Sequence, residues 1–92
     1  MSERFDEIRA EITANDGEIV AGVNRRLQLV AALWELKQEL GIERTDPDRE
    51  RQLLETLSAA NTGPLSDEGL EEIVAELLAL TRREIERGRA TS

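Results

Sequence analysis

Ninety-two residues at 10.3 kDa suffice for one domain and not for two. The 12 Lys+Arg are outnumbered by 20 Asp+Glu, giving a net charge of −8, which argues against nucleic acid as the main partner because phosphate binding needs a cationic footprint. With no cysteine and no histidine, disulfides, thiol nucleophiles, zinc sites with nitrogen or sulfur ligands and His-based acid–base chemistry are all excluded. No metal and no cofactor is expected. No apolar run reaches the roughly 18 residues of a membrane span, and Met1-Ser2-Glu3-Arg4 does not read as a secretory leader. The expectation is a cytoplasmic protein with neither membrane nor nucleic acid as partner. Phe5 and Trp34 are the only aromatics, so any core is built from Leu, Ile, Val and Ala.

The first element runs from about Glu3 to Leu40. Phe5, Ile8, Ile12, Ile19, Val23, Leu27, Val30, Leu33 and Trp34 recur at helical spacing, and Gly41 follows as a stop. A helix of this length measures about 57 Å, against about 30 Å for a compact domain of this size. Either it breaks near Gly17 or Gly22, or a second copy packs alongside. The apolar pattern continues through both glycines and favours the second copy. Asp46-Pro47-Asp48 announces a second helix, with Asp46 as N-cap, Pro47 at the first position and Asp48 complementing the dipole. It carries Leu53, Leu54 and Leu57 inward and ends near Ala60. After the turn Asn61-Thr62-Gly63-Pro64, Ser66 with Asp67 and Glu68 opens a third helix, its apolar face Leu70, Ile73, Val74, Leu77, Leu78 and Ile85. The fold class is all-α, with one long, one short and one medium helix in an intertwined dimer. Residues 1–92 form one domain, with a core from 5 to 87 and a frayed tail from 88 to 92.

Alternating four-and-three spacing along the first helix puts Phe5, Arg9, Ile12, Asp16, Ile19, Val23, Arg26, Val30, Leu33, Lys37 and Leu40 on one stripe. Three cations, Arg9, Arg26 and Lys37, lie on that seam. Buried cations cost several kcal/mol each unless an anion meets them. Taken singly, each reads as a snorkelling edge residue. Three on one seam of an acidic chain read as an anion site. Arg26 and Lys37 are about 16 Å apart along the axis, which two long side chains can span around a ligand. Arg9 and Arg26 are roughly 25 Å apart, so Arg9 could join them only from an antiparallel second chain. Arg49 and Glu50, at the start of the second helix, add a donor and an acceptor.

These residues resemble the all-helical class of chorismate mutases, from about Phe5 to Ile85. The pieces are Ile8-Arg9-Ala10-Glu11-Ile12, Arg26, Glu35-Leu36-Lys37-Gln38-Glu39-Leu40-Gly41 and Asp46-Pro47-Asp48-Arg49-Glu50. The specific part is the ordered spacing of Arg9, Arg26, Lys37, Asp46, Arg49 and Glu50. The stretch from Asn61 to Glu68 also resembles family members, including those fused to a sugar-phosphate synthase of the same pathway.

The resemblance implies rearrangement of chorismate to prephenate, the shikimate-pathway branch toward phenylalanine and tyrosine, by a homodimer with two shared sites. It implies that Arg9 from one subunit and Arg26 from the other hold the two substrate carboxylates. Lys37 meets a carboxylate and the ether oxygen. Glu50 accepts from the ring hydroxyl with the Asp46 backbone nearby, Arg49 orients that group, and Thr81 contacts a carboxylate. Four residues after the hydroxyl residue the family usually carries Gln or Glu; here stands Ile85. Aligning Leu80 with the hydroxyl position would bring Glu84 there instead, but suits Val74, Leu77 and Leu78 less well. Losing such a donor typically costs about 2.7–4 kcal/mol. Weak intrinsic activity, altered chemistry or an activating partner enzyme of the same pathway is therefore expected. The alternatives are an isochorismate pyruvate lyase on the same scaffold and a non-catalytic helical regulatory or assembly module.

Overall fold

The computed structural model describes residues 2–91, with side chains as far as Gly88. Three helices follow in order: α1 (Glu3–Leu40), α2 (Pro47–Ala60) and α3 (Asp67–Thr91). Each boundary has a local cause. The Ser2 hydroxyl accepts from the Phe5 N–H at 3.2 Å and satisfies one of the orphan donors of α1. At the other end Gly41 takes φ 69°, a left-handed conformation that costs a glycine little. Its N–H reaches the Gln38 carbonyl, and the Ile42 N–H reaches the Lys37 carbonyl at 2.8 Å. Asp46 caps α2 through its carboxylate, which accepts from the Arg49 N–H at 3.2 Å, and Pro47 sits in the first turn. Between α2 and α3, Asn61 accepts from the Gly63 N–H and donates to the Leu65 carbonyl. The Ser66 hydroxyl then accepts from the Gly69 N–H at 3.0 Å and opens α3.

α1 runs unbroken through Gly17 and Gly22. α3 is the central element and packs against both α1 and α2, while α1 and α2 do not pack on each other. Among the described residues, those buried are Trp34 on α1 and Leu70, Val74 and Thr81 on α3. Leu53, Leu54 and Leu57 on α2 are half-buried, as the sequence pattern suggests. Ile73, expected on the inner face of α3, is exposed. The tail expected from Gly88 falls in the last turn of α3, whose backbone is described as far as Thr91; Ser92 lies outside the described residues.

The chain measures 58 × 33 × 15 Å with a radius of gyration of 16.9 Å, against about 12 Å for a compact chain of this length. Its accessible surface is 7380 Å², roughly 2,000 Å² more than the ~5,400 Å² of a compact monomer of this mass. Much of the excess lies on the N-terminal half of α1. Phe5, Ile8, Ile12, Ile19 and Val20 are 39%, 40%, 54%, 56% and 60% exposed along that one helix.

Candidate active site

Because α1 and α2 each pack on α3 and not on each other, a cleft of about 220 Å³ opens between them. Ligand pockets commonly run about 300–1,000 Å³, so this one suits a small metabolite or is missing a wall. α1 contributes Arg26, Val30, Leu33, Trp34 and Lys37; α2 and the loop before it contribute Arg44, Thr45, Asp46, Arg49, Glu50 and Leu53; α3 floors it with Leu78, Thr81 and Arg82. Five cations face two carboxylates here, the reverse of the chain's overall balance. The arrangement favours an anion carrying more than one charge.

The seam cations are held rather than loose. Arg26 is half-buried and donates to the Thr81 hydroxyl, which itself donates to the Leu77 carbonyl at 2.6 Å. Thr81 is 4% exposed, so its hydroxyl is a fixed acceptor that aims the guanidinium. Lys37, also half-buried, donates from Nζ to the Arg44 carbonyl at 3.0 Å. That carbonyl is positioned by the turn at Gly41, which brings Arg44 back over the Trp34 ring at 4.7 Å. Asp46 spends its side chain on capping α2, which leaves its backbone at the cleft edge. Glu50 is half-buried and accepts from Arg82 at 2.5 Å.

Of the residues singled out in the sequence, the structure gathers Arg26, Lys37, Asp46, Arg49, Glu50 and Thr81 around this cleft. Arg9 is not among them. It lies on the bare half of α1, stacked over Phe5 at 5.3 Å. Ile85 and Glu84 line a second groove on α1 and α3, together with Leu27, Gln28, Ala31, Glu35 and Gly88. Arg82, Arg44, Thr45 and the inward Trp34 are cleft residues that the sequence pattern does not single out. Arg82 carries a usable signal, since it stands four residues after Leu78 on the apolar face of α3, one position past Thr81. Arg44 and Thr45 carry none, because they sit in a loop whose path no periodicity describes. Among the described residues no cluster of His, Cys, Asp or Glu is placed to hold a metal ion, and no helix is long and apolar enough to cross a membrane.

Comparison with known proteins agrees with this geometry. The family model for chorismate mutase type II matches residues 8–86. The chain is similar to a bifunctional chorismate mutase/prephenate dehydratase from Neisseria gonorrhoeae, 36% identical over 90 aligned residues; the alignment covers 89% of this chain and 24% of that protein. The chain thus spans about a quarter of that relative's length. Among solved structures, chorismate mutase form II from Thermus thermophilus superposes with a TM-score of 0.85 at 33% identity, over 92% of this chain and 97% of that one. Form I from the same organism gives 0.82 at 33% identity, over 86% and 99%. The three-helix fold, the cationic cleft and these matches together make the chain a member of the chorismate mutase type II family.

Proposed function

We propose that this chain rearranges chorismate to prephenate as a homodimer with two shared clefts. The observation that carries the reading is the convergence of Arg26, Lys37 and Arg49 on one small cleft in a chain of net charge −8. The reaction is unimolecular: a carbon–carbon bond forms as the ether carbon–oxygen bond breaks, with no nucleophile and no redox step. The protein then has two tasks. One is to hold the flexible enolpyruvyl arm in its compact reactive conformer, which charge-assisted contacts to two carboxylates accomplish. The other is to stabilise negative charge growing on the ether oxygen, which a fixed ammonium does without reorganisation.

In this scheme Arg26, braced by Thr81, holds one carboxylate, and the Thr81 hydroxyl turns its proton from the Leu77 carbonyl to add a contact of its own. Arg9 of the partner subunit holds the other carboxylate. Lys37, tethered to the Arg44 carbonyl, meets a carboxylate and the ether oxygen. Glu50 accepts from the ring hydroxyl near the Asp46 backbone, and Arg49 orients that group. The dimer is supported by the bare apolar face of α1, by the surface excess of roughly 2,000 Å² and by the extended shape. Stable dimers bury areas of this order. An antiparallel second α1 would cover that face and carry its Arg9 to the cleft.

The position of Ile85 and Glu84 in the second groove supports a low intrinsic rate. With no second donor from that part of α3, Lys37 alone serves the ether oxygen, and an activating enzyme of the same pathway would raise turnover. The test is to incubate purified chain with chorismate, and separately with isochorismate, with and without cell extract. Slow prephenate formation that extract accelerates is expected. Salicylate and pyruvate from isochorismate would favour the lyase. Failure to bind a chorismate-like dicarboxylate would leave only a helical assembly module.

A further inference from the structure

Arg82 is a cleft cation for which the scheme above has no task. It sits on α3 beside Thr81, and its guanidinium donates to Oε1 of Glu50 at 2.5 Å. This ion pair joins two helices, whereas Arg4–Glu7, Arg51–Asp48, Arg83–Glu76 and Arg87–Glu84 each stay within one. Both residues line the cleft, and the pair ties α2 to α3 there. Glu50 stands in the first turn of α2 and is half-buried, and in the reaction drawn above it accepts from the ring hydroxyl.

A glutamate side chain has three rotatable bonds, and one that must meet a hydroxyl benefits from being fixed beforehand. Arg82 engages one carboxylate oxygen and leaves Oε2 to accept. As a cation it also offsets the cost of bringing a carboxylate next to a doubly anionic substrate. We propose that Arg82 is a positioning residue that acts through Glu50, orienting it toward the substrate hydroxyl and so favouring substrates that carry one. This rests on the chorismate mutase reading of the cleft. A half-exposed ion pair contributes little to folding, so a purely structural role would show mainly in stability and only slightly.

The experiment measures kcat and KM for chorismate in the full chain and in Arg82→Met, Arg82→Lys, Glu50→Gln and the Arg82→Met/Glu50→Gln double variant, with thermal midpoints alongside. Arg82→Met is expected to lower kcat/KM about tenfold, mostly through KM, because the hydroxyl contact exists both before and in the transition state. Arg82→Lys is expected to recover most of the loss. In the Glu50→Gln background Arg82→Met should change kcat/KM less than about twofold, since the group it positions is gone. Arg82→Met with wild-type kcat/KM would overturn the inference. A full loss persisting in the Glu50→Gln background would overturn it too, because Arg82 would then act on substrate or fold directly. A wild-type chain that neither binds nor turns over chorismate would overturn the reading beneath it instead.

Discussion

From Val23 to Lys37, α1 lies against α3 and the cleft, and Val23, Arg26, Val30, Trp34 and Lys37 are all half-buried or buried. From Phe5 to Val20 the same helix, with the same spacing of apolar residues, is exposed throughout. Each half also carries stripe cations: Arg26 and Lys37 in one, Arg9 in the other. In the covered half the cations are braced by Thr81 and by the Arg44 carbonyl. In the bare half the Arg9 guanidinium lies over the Phe5 ring. The stripe is uniform in sequence and uneven in burial, so one chain supplies cover for only half of it. In the proposed dimer a second chain would account for both facts, covering the bare half and bringing Arg9 to the substrate carboxylate in its partner's cleft.

The largest expected effect strikes the covered half. Lys37→Ala should lower kcat by about 10²–10³, the usual cost of removing one donor to a developing oxyanion. Nearly unchanged turnover in a steady-state assay would remove Lys37 from the chemistry. Arg9→Ala should cost kcat/KM as much as Arg26→Lys does, roughly 10- to 100-fold, although Arg9 sits about 25 Å along the helix from its own Arg26. If Arg9→Ala is silent while Arg26→Lys is not, the two halves do not meet in one site.

Most helix ends are legible in the sequence, because Gly41, Asp46-Pro47 and Ser66 each satisfy or terminate backbone groups locally. Arg26, Lys37 and Glu50 are legible because a charge stands out against an apolar stripe or beside a cap. The side on which Ile85 falls is not. It is only about 40° around the helix from Thr81, and the crossing of α1 and α3, which no local pattern encodes, decides which groove it enters. The cation over Trp34 is hidden for a similar reason, since Arg44 reaches it through a loop.

Smaller changes sharpen the contrast further. Ile12→Glu, placed on the bare half, should convert the proposed dimer to monomer by sedimentation and lower activity with it, while leaving helix content by circular dichroism largely intact. A chain that stays dimeric with Glu at position 12 would place the interface elsewhere. Thr81→Val keeps shape but removes the hydroxyl that aims Arg26 and should lower kcat/KM about five- to tenfold. Ser66→Ala removes a cap far from both halves and should cost about 1 kcal/mol of stability in urea titration with no change in kcat.

Subunit complementation is the most direct measurement. Arg9→Ala and Arg26→Ala chains, each severely impaired alone, are unfolded together, refolded and assayed with chorismate. Random pairing makes half of the dimers mixed, and each mixed dimer holds one intact cleft and one doubly damaged one, so about a quarter of wild-type activity should return. Activity no higher than that of the two variants assayed apart would contradict a cleft shared between two chains.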